Sequence, residues 1–303
     1  MMSTMPNTSG IRSARSGDAR EAKSQLTVPG SNANMLKTTA AILMLGGIVA
    51  TAHAAAAEPS STSGQPSAAQ IVERVIAARG GLAAWHGLET VTWRGKLGAG
   101  ATTYETVSKG HLQTRHRDEA MLPFTFEYKR PVKMRLEIQF NGQTSVQVYD
   151  GASGWTLRPY LGRSDWEPYT ADQLRQASTQ PGIDGYLIDY ARRGAHVDLV
   201  GTEKVEDQPN YKLKVTEKDG RVRHVWVNAR TYLETKLEGE PRKLDGKMHN
   251  VEIRLRDYRT EGQLVFPHII ETHVTGLARA EQIIIDSVSV NPKIADSRFA
   301  KST

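Results

Sequence analysis

The chain has 303 residues, 39% of them apolar and 24% charged, with no cysteine and a formal net charge of +6. Without cysteine there can be no disulfide and no lipid anchor on an N-terminal cysteine. The leader holds Arg12, Arg15, Arg20, Lys23 and Lys37 against Asp18 and Glu21; the rest carries 34 basic residues (39 less these five) against 31 acidic (33 less two), too slight an excess for nucleic-acid binding.

Residues 1–34 are rich in Ser, Asn, Gly and Arg and lack apolar periodicity, so they read as a disordered or upstream-start extension. From Met35 the pattern changes. Lys37 precedes an uncharged apolar run, Thr38–Ala52, and then the small residues of AHAAAAEPS. That order predicts a secretory signal peptide over 35–57, cleaved after Ala54 or within Ala55–Ala57, and hence a periplasmic protein. The run falls short of the ~20 apolar residues of a spanning helix. No Arg-Arg pair precedes it, which disfavours a twin-arginine route. A Pro/Ser/Gly linker at 58–66 then leads into a single domain, 67–303.

Ser67 with Gln70 has capping-box spacing, and Ile71, Val72, Val75 and Ile76 recur on one helical face. Gly80-Gly81 ends or kinks this opening helix before Leu82 and Trp85. The period then switches to two. Val91, Trp93 and Leu97 alternate with polar residues, as do Leu122, Phe124, Phe126 and Tyr128, and then Val132, Met134, Leu136, Ile138 and Phe140. Farther on, Tyr211, Leu213 and Val215, and later Val251, Ile253 and Leu255, repeat the pattern. Strands with one apolar and one charged face follow. Asn141-Gly142, Asp150-Gly151, Asp219-Gly220 and Asp245-Gly246 separate such runs as hairpin turns, so the sheet is an antiparallel meander.

Alternation also predicts register. A three-residue loop, Asn141 to Gln143, would oppose Ile138 with Val146 and Leu136 with Val148 and keep one face apolar. A four-residue loop, Asp150 to Ser153, then opposes Val148 with Trp155 and Val146 with Leu157, so that Trp155 faces the same way as Met134, Leu136 and Ile138. The pattern around Val225 and Val227 leaves open whether these valines or His224 and Trp226 face the core.

The sheet is interrupted from Gly162 to Gly194. Thr170 with Gln173 opens a short helix that stops at Pro181-Gly182, and IDGYLIDYARRG reads as a second, with Ile183, Leu187 and Tyr190 on one face and Gly194 as its stop. Trp93, Phe124, Phe126 and Trp155 could each bury ~150–250 Å². Together they approach or exceed the apolar patch a soluble monomer usually exposes, so this face is covered by helices and by either a second sheet or an apolar ligand.

The segments YDGASGWTLRPYLG (149–162), YTADQL (169–174), IDGYLIDY (183–190), YKLKVTEKDGRVRHVWVNARTYL (211–233) and VFPHIIETHV (265–274) resemble periplasmic outer-membrane lipoprotein-sorting proteins of the LolA/LolB-like superfamily. The resemblance implies a mainly β fold, an incomplete antiparallel β-barrel whose concave apolar face is closed by a few helices. It implies binding there of lipid or lipoprotein acyl chains during transfer between membranes, with a transient inner- or outer-membrane partner. The candidate cavity residues are Trp93, Phe124, Phe126, Met134, Leu136 and Ile138, with Val146, Val148, Trp155, Leu157 and Leu213 beside them and Leu187 and Tyr190 in the lid.

No catalytic set, metal site or cofactor is expected, and the protein is read as a monomer. No His-Glu-x-x-His helix occurs, and His268 and His273, five apart in a strand, point to opposite faces and read as solvated or satisfied histidines. Ser153 reads as a turn residue, Arg192-Arg193 as the charge complement of a helix end, and Asp165, Glu167, Asp184 and Asp189 as solvated carboxylates. Two alternatives stay open: an enzyme or enzyme-accessory protein on the same scaffold, and an outer-membrane β-barrel, whose apolar face would point outward.

Overall fold

The computed structural model describes residues 64–99, 102–108, 111–117, 120–179, 182–244 and 246–301. The expected extension, signal peptide and most of the linker lie outside these residues, as do Pro181 and Asp245.

The capping box forms as its spacing requires. Gln70 donates its backbone N–H to Ser67 Oγ (3.3 Å), and Ser67 returns its own to Gln70 Oε1 (2.9 Å). Helix α1 (Ala68–Ala78) follows and buries Ile71, Val72 and Val75; Gly80-Gly81 ends it, and one further turn, α2 (Leu82–His86), inserts Trp85 into the core. Strand β1 (Thr90–Gly98) leads to a two-stranded ribbon, β2 (Thr102–Ser108) and β3 (His111–Arg117), that stands apart from the main sheet. Then comes a meander, β4 (Met121–Lys129), β5 (Lys133–Phe140), β6 (Gln143–Tyr149), β7 (Gly154–Arg158) and β8 (Arg163–Pro168). After α3 (Ala171–Ser178) and a turn-rich stretch, a second meander follows: β9 (His196–Val205), β10 (Gln208–Thr216), β11 (Val222–Asn228), β12 (Glu234–Leu244), β13 (Lys247–Glu261), β14 (Leu264–Val274) and β15 (Glu281–Val290).

The two meanders are one sheet because β1 pairs with both. Its Trp93 lies opposite Phe126 of β4 on one side and Val288 of β15 on the other. The result is a 13-stranded antiparallel sheet in the order β8-β7-β6-β5-β4-β1-β15-β14-β13-β12-β11-β10-β9. Its edges, β8 and β9, do not pair, so the sheet is an incomplete barrel, as expected. Consecutive strands β8 and β9 sit at opposite edges, so the chain between them must cross the sheet. That crossing, and not a local sequence signal, makes 169–195 a cover.

The register at Asn141-Gly142 differs from the expectation. The loop has two residues, Phe140 pairs with Gln143, and Ile138 lies opposite Ser145, Leu136 opposite Gln147 and Met134 opposite Tyr149. Asn141 (φ 49°) and Gly142 (φ 72°) both adopt the left-handed conformation that a type I′ turn demands, and this tight turn fixes the pairing. Alternation misled because a one-residue slip reverses every side chain, and it identifies a register only where one face alone is buried. Here both are. Val146 and Val148 therefore lie beside Glu137 and Arg135 on the outer face. The Asp150–Ser153 loop has the expected length, with Val148 opposite Trp155 and Val146 opposite Leu157. Trp155 and Leu157 are consequently also on the outer face, away from Met134, Leu136 and Ile138.

The C-terminal turn covers that outer face. Arg135 Nη1 donates to the Arg298 carbonyl (3.0 Å), Arg298 pairs with Glu127 and Glu137, and Phe299 is buried. On the second meander Val225 and Val227 face inward, whereas Trp226 lies outward with Lys236 Nζ 3.9 Å from its ring centroid and its indole N–H on Glu203 Oε2 (2.8 Å). Around it runs a ladder of charges: Lys212–Glu203, Lys236–Glu252, Arg254–Glu206 and Arg256–Glu271. A charged outer face with an apolar concavity is the reverse of a lipid-facing barrel.

This ladder makes stability pH-dependent. The Arg256 guanidinium holds the Glu206 carboxyl below the usual carboxylate range, and the Lys212 ammonium and the Trp226 indole do the same for Glu203. A carboxyl whose pKa is lower folded than unfolded stabilises the fold above the unfolded value of 4.5 and loses that contribution as pH falls through the folded one. The urea midpoint should therefore decline on acidification from about pH 5 to about pH 3, less steeply in 1 M salt because these groups are partly exposed. A flat profile at low salt would show that the ladder adds nothing.

Candidate functional site

Two buried apolar clusters floor the concavity. One joins Trp85, Trp93, Phe124, Phe126, Leu136 and Phe266, and the other sets α1 on Leu213, Val225, Val227, Leu237 and Ile253. Between them lies a cavity of about 160 Å³. Trp93 of the central strand β1 lines it together with Phe126, Tyr128 and Met134 of the first meander and Leu237, Ile253, Leu255, Phe266 and Ile270 of the second. Its roof is Ala177 of α3 and the stretch Gly182–Tyr186.

The roof is not the helix pair expected. α3 starts at the predicted capping box, with Gln173 N–H on Thr170 Oγ1 (3.3 Å), but Gly182–Asp184 is one 3-10 turn and the chain to Gly194 is a series of turns. Gly185 (φ 70°) and Asp189 (φ 55°) are left-handed, which no continuous helix accommodates. Nor does the cover begin at Gly162, since Arg163–Pro168 is edge strand β8.

Side chains hold the roof down. Arg130 makes a two-pronged pair with Asp184 (2.6 and 2.7 Å) and also donates to the Trp85 carbonyl (3.0 Å). Tyr128 packs its hydroxyl under Gly182 while donating it to the Pro131 carbonyl, and burial pushes its phenol up to about 12. Arg193 donates to the carbonyls of Ile188 (2.6 Å) and Tyr186 (2.8 Å), so it braces the cover from within instead of complementing a helix end. His86 of α2 meets Asp189 at 3.0 Å. Asp184 and Asp189 are thus paired, not solvated, and Glu167 pairs with both Arg158 and Arg163.

One buried ion pair reaches the otherwise apolar cavity. Arg79, just past the end of α1, places Nη1 2.5 Å from Glu234 Oε2 and Nε 2.7 Å from the Val265 carbonyl. Its guanidinium stacks over Trp85 (4.8 Å to the ring centroid), and Tyr258 donates to the Glu234 carbonyl at 2.8 Å. Burial raises the Glu234 pKa despite Arg79 beside it.

Of the residues expected in the cavity, Trp93, Phe126 and Met134 line it. Phe124, Leu136 and Ile138 belong to the cluster beneath them, and Leu213, Leu187 and Tyr190 to the cluster under α1. Val146, Val148, Trp155 and Leu157 do not contribute, for the register reason given above. Missed were Arg79, Glu234, Leu237 and Phe266. Phe266 and Ile270 do alternate in the sequence, but Pro267 and His268 between them obscure the signal. His268, expected in a solvated or satisfied role, is 1% exposed and donates from Nδ1 to the Ile285 carbonyl (2.7 Å). Ser153 sits in its turn, with its N–H on Asp150 Oδ1 (2.7 Å). Among the described residues no group of three or more His, Asp or Glu could hold a metal ion.

No family model matches the chain. No curated protein matches it. Solved structures do. A LolA superfamily protein from Nitrosomonas europaea is 14% identical, with a TM-score of 0.50 over 78% of this chain and 99% of that one. A DUF1329 family protein from Desulfovibrio piger (12% identical, TM-score 0.46, 77% and 97% of the two chains) and an outer-membrane lipoprotein-sorting protein domain from Vibrio parahaemolyticus (10%, 0.45, 76% and 94%) also align. The first of these alignments carries the assignment of fold.

Proposed function

We propose that this chain, which has the LolA-like fold, is a periplasmic carrier or binding protein for acyl chains of lipoproteins or of other lipids. The observation that supports this most directly is the apolar cavity between the two meanders, roofed by a segment that the topology forces across it. On this reading the signal peptide ends near Ala54–Ala57, the mature protein is a monomer without cofactor, and it meets a membrane or a membrane partner transiently. Binding is favoured over catalysis because Arg79 and Glu234, the ionisable pair at the cavity, are committed to each other.

The size of the cavity supports a closed resting form. At about 160 Å³ it compares with the ~150 Å³ cavities that admit benzene, and falls below the ~300–1,000 Å³ of sites for larger ligands. An acyl chain enters as the roof lifts and replaces the apolar contacts that the roof gives up.

Native mass spectrometry of the protein purified from the periplasm without detergent should show bound lipid beside a mature chain lacking residues 1–57. Phe126→Asp should abolish that adduct by placing a carboxylate in the cavity, whereas Trp155→Asp, on the outer face, should leave it. Retention of lipid by a folded Phe126→Asp protein, or no lipid on the wild type, would overturn the reading.

A further inference from the structure

In an antiparallel meander successive turns fall at alternate ends of the sheet, and the second meander makes its two ends unlike. At one end, the β10–β11, β12–β13 and β14–β15 turns each carry an exposed apolar side chain beside an exposed cation: Val222 with Lys218, Met248 with Lys243 and Lys247, and Leu277 with Arg279. At the other end, the β9–β10, β11–β12 and β13–β14 turns expose no large apolar side chain among the described residues and carry Glu206, Asp207 and Glu261 against Arg230. Two of the apolar tips are neighbours. Val251 pairs with Val274, so Met248 and Leu277, each three residues nearer its turn, reach the same level, at 55% and 48% exposure. His249 ties the two turns together: its Nδ1 donates to the Thr275 carbonyl (2.7 Å), and the Thr275 N–H donates to the Asn250 carbonyl (2.9 Å).

The charges at the first end leave a cationic excess. Among the described residues Asp219 pairs with Arg221, Glu240 with Arg223 and Glu281 with Arg242, while Lys218, Lys243, Lys247 and Arg279 make no ion pair. Glu217 and Asp245, the latter outside the described residues, offset two of these four charges at most. We propose that these turns dock the protein on an anionic lipid surface, with Met248 and Leu277 entering the headgroup region and the cations of the same turns meeting lipid phosphates. Such a surface supplies both complements at once, negative charge for the cations and an apolar layer just beneath it for the tips. An acidic protein surface would pair the cations and leave both apolar tips without a partner. The proposal deepens the carrier reading by naming the surface at which such a carrier meets a membrane, but it stands on residues separate from the cavity.

The test is sedimentation of the mature chain with phosphatidylglycerol vesicles and, in parallel, with phosphatidylcholine vesicles. Binding should need phosphatidylglycerol and weaken in 1 M salt. The double variant Lys243→Gln, Lys247→Gln should bind phosphatidylglycerol roughly thirtyfold less tightly, about fivefold for each ammonium lost at the surface. The chain has no cysteine, so one introduced cysteine takes one label. A nitrobenzoxadiazole label on Leu277→Cys should shift to the blue on phosphatidylglycerol vesicles, whereas one on Gln263→Cys, at the opposite end, should not. Equal binding to the two lipids, no binding to either, or sedimentation with the label at 277 unshifted overturns the proposal. Retention on polyaspartate without vesicle binding overturns it in favour of an acidic protein partner, and a blue shift without vesicles that grows with protein concentration overturns it in favour of a second copy. The carrier reading is judged separately, by lipid in the native mass spectrum, so either can fail while the other stands.

Discussion

Glu234→Ala is expected to destabilise the fold by about 3–5 kcal/mol, the range for stripping one partner from a buried ion pair. Both side chains are almost fully enclosed, at 6% and 5% exposure, so Arg79 would keep its charge in an apolar surround with no counter-ion. The partners are 155 residues apart, and Arg79 also holds the Val265 carbonyl, so the pair fastens the end of α1 to β12 and β14. Urea unfolding measures the loss. The double variant Arg79→Met, Glu234→Leu should recover most of it, because a matched apolar pair avoids the desolvation that the ion pair bears. A loss under 1 kcal/mol for Glu234→Ala would show that water reaches the site.

Asp184→Ala should act on the cover more than on the sheet. Asp184 makes two charge-assisted hydrogen bonds to Arg130, with side-chain exposures of 15% and 24%, and their removal is worth about 2–3 kcal/mol. Arg130 keeps its bonds to the carbonyls of Leu88 and Trp85, so β4 stays anchored while Gly182–Asp184 loses its main tether. Amide hydrogen exchange should therefore quicken from Ile183 to Ile188 with little change in β1 and β4, and acyl-probe exchange should accelerate about tenfold, as a loss of more than 1.4 kcal/mol allows. Uniformly faster amide exchange across β1 and β4 would place Asp184 in the global fold and remove the basis for a gate.

Much of this molecule is local, and the local part is legible. The capping boxes at Ser67 and Thr170, the break at Gly80-Gly81 and the strand alternation of Phe124, Phe126 and Tyr128 depend on sterics and hydrogen bonds within a few residues. They survive whatever the rest of the chain does. The same holds for the turns at Asp150-Gly151 and Asp219-Gly220. Sequence resemblance added the incomplete barrel with its apolar concavity, and the unclosed 13-stranded sheet bears that out.

The cavity itself was legible only in part. Trp93, Phe126 and Met134 carry an alternation that points to it, whereas Glu234 carries no such signal, since an acid at the start of a strand ordinarily faces water. Only the arrival of α1 from the other end of the chain makes it a buried partner of Arg79. The 3-10 turn and bends at 182–194 were hidden for a related reason: apolar spacing fits a helix, and the left-handed residues Gly185 and Asp189 override it.

By itself, then, the amino-acid order determined which residues prefer an apolar surround, where the chain turns and which segments twist into helix or extend into strand, because each is decided by interactions over a few residues. Tertiary structure alone decided that β1 joins two meanders, that the cover crosses the concavity, and that Val146, Val148, Trp155 and Leu157 face outward. Those outcomes depend on pairings between distant strands and on a tight turn that sets register. Alternation says which residues share a face, and only the assembled sheet says which face is inside.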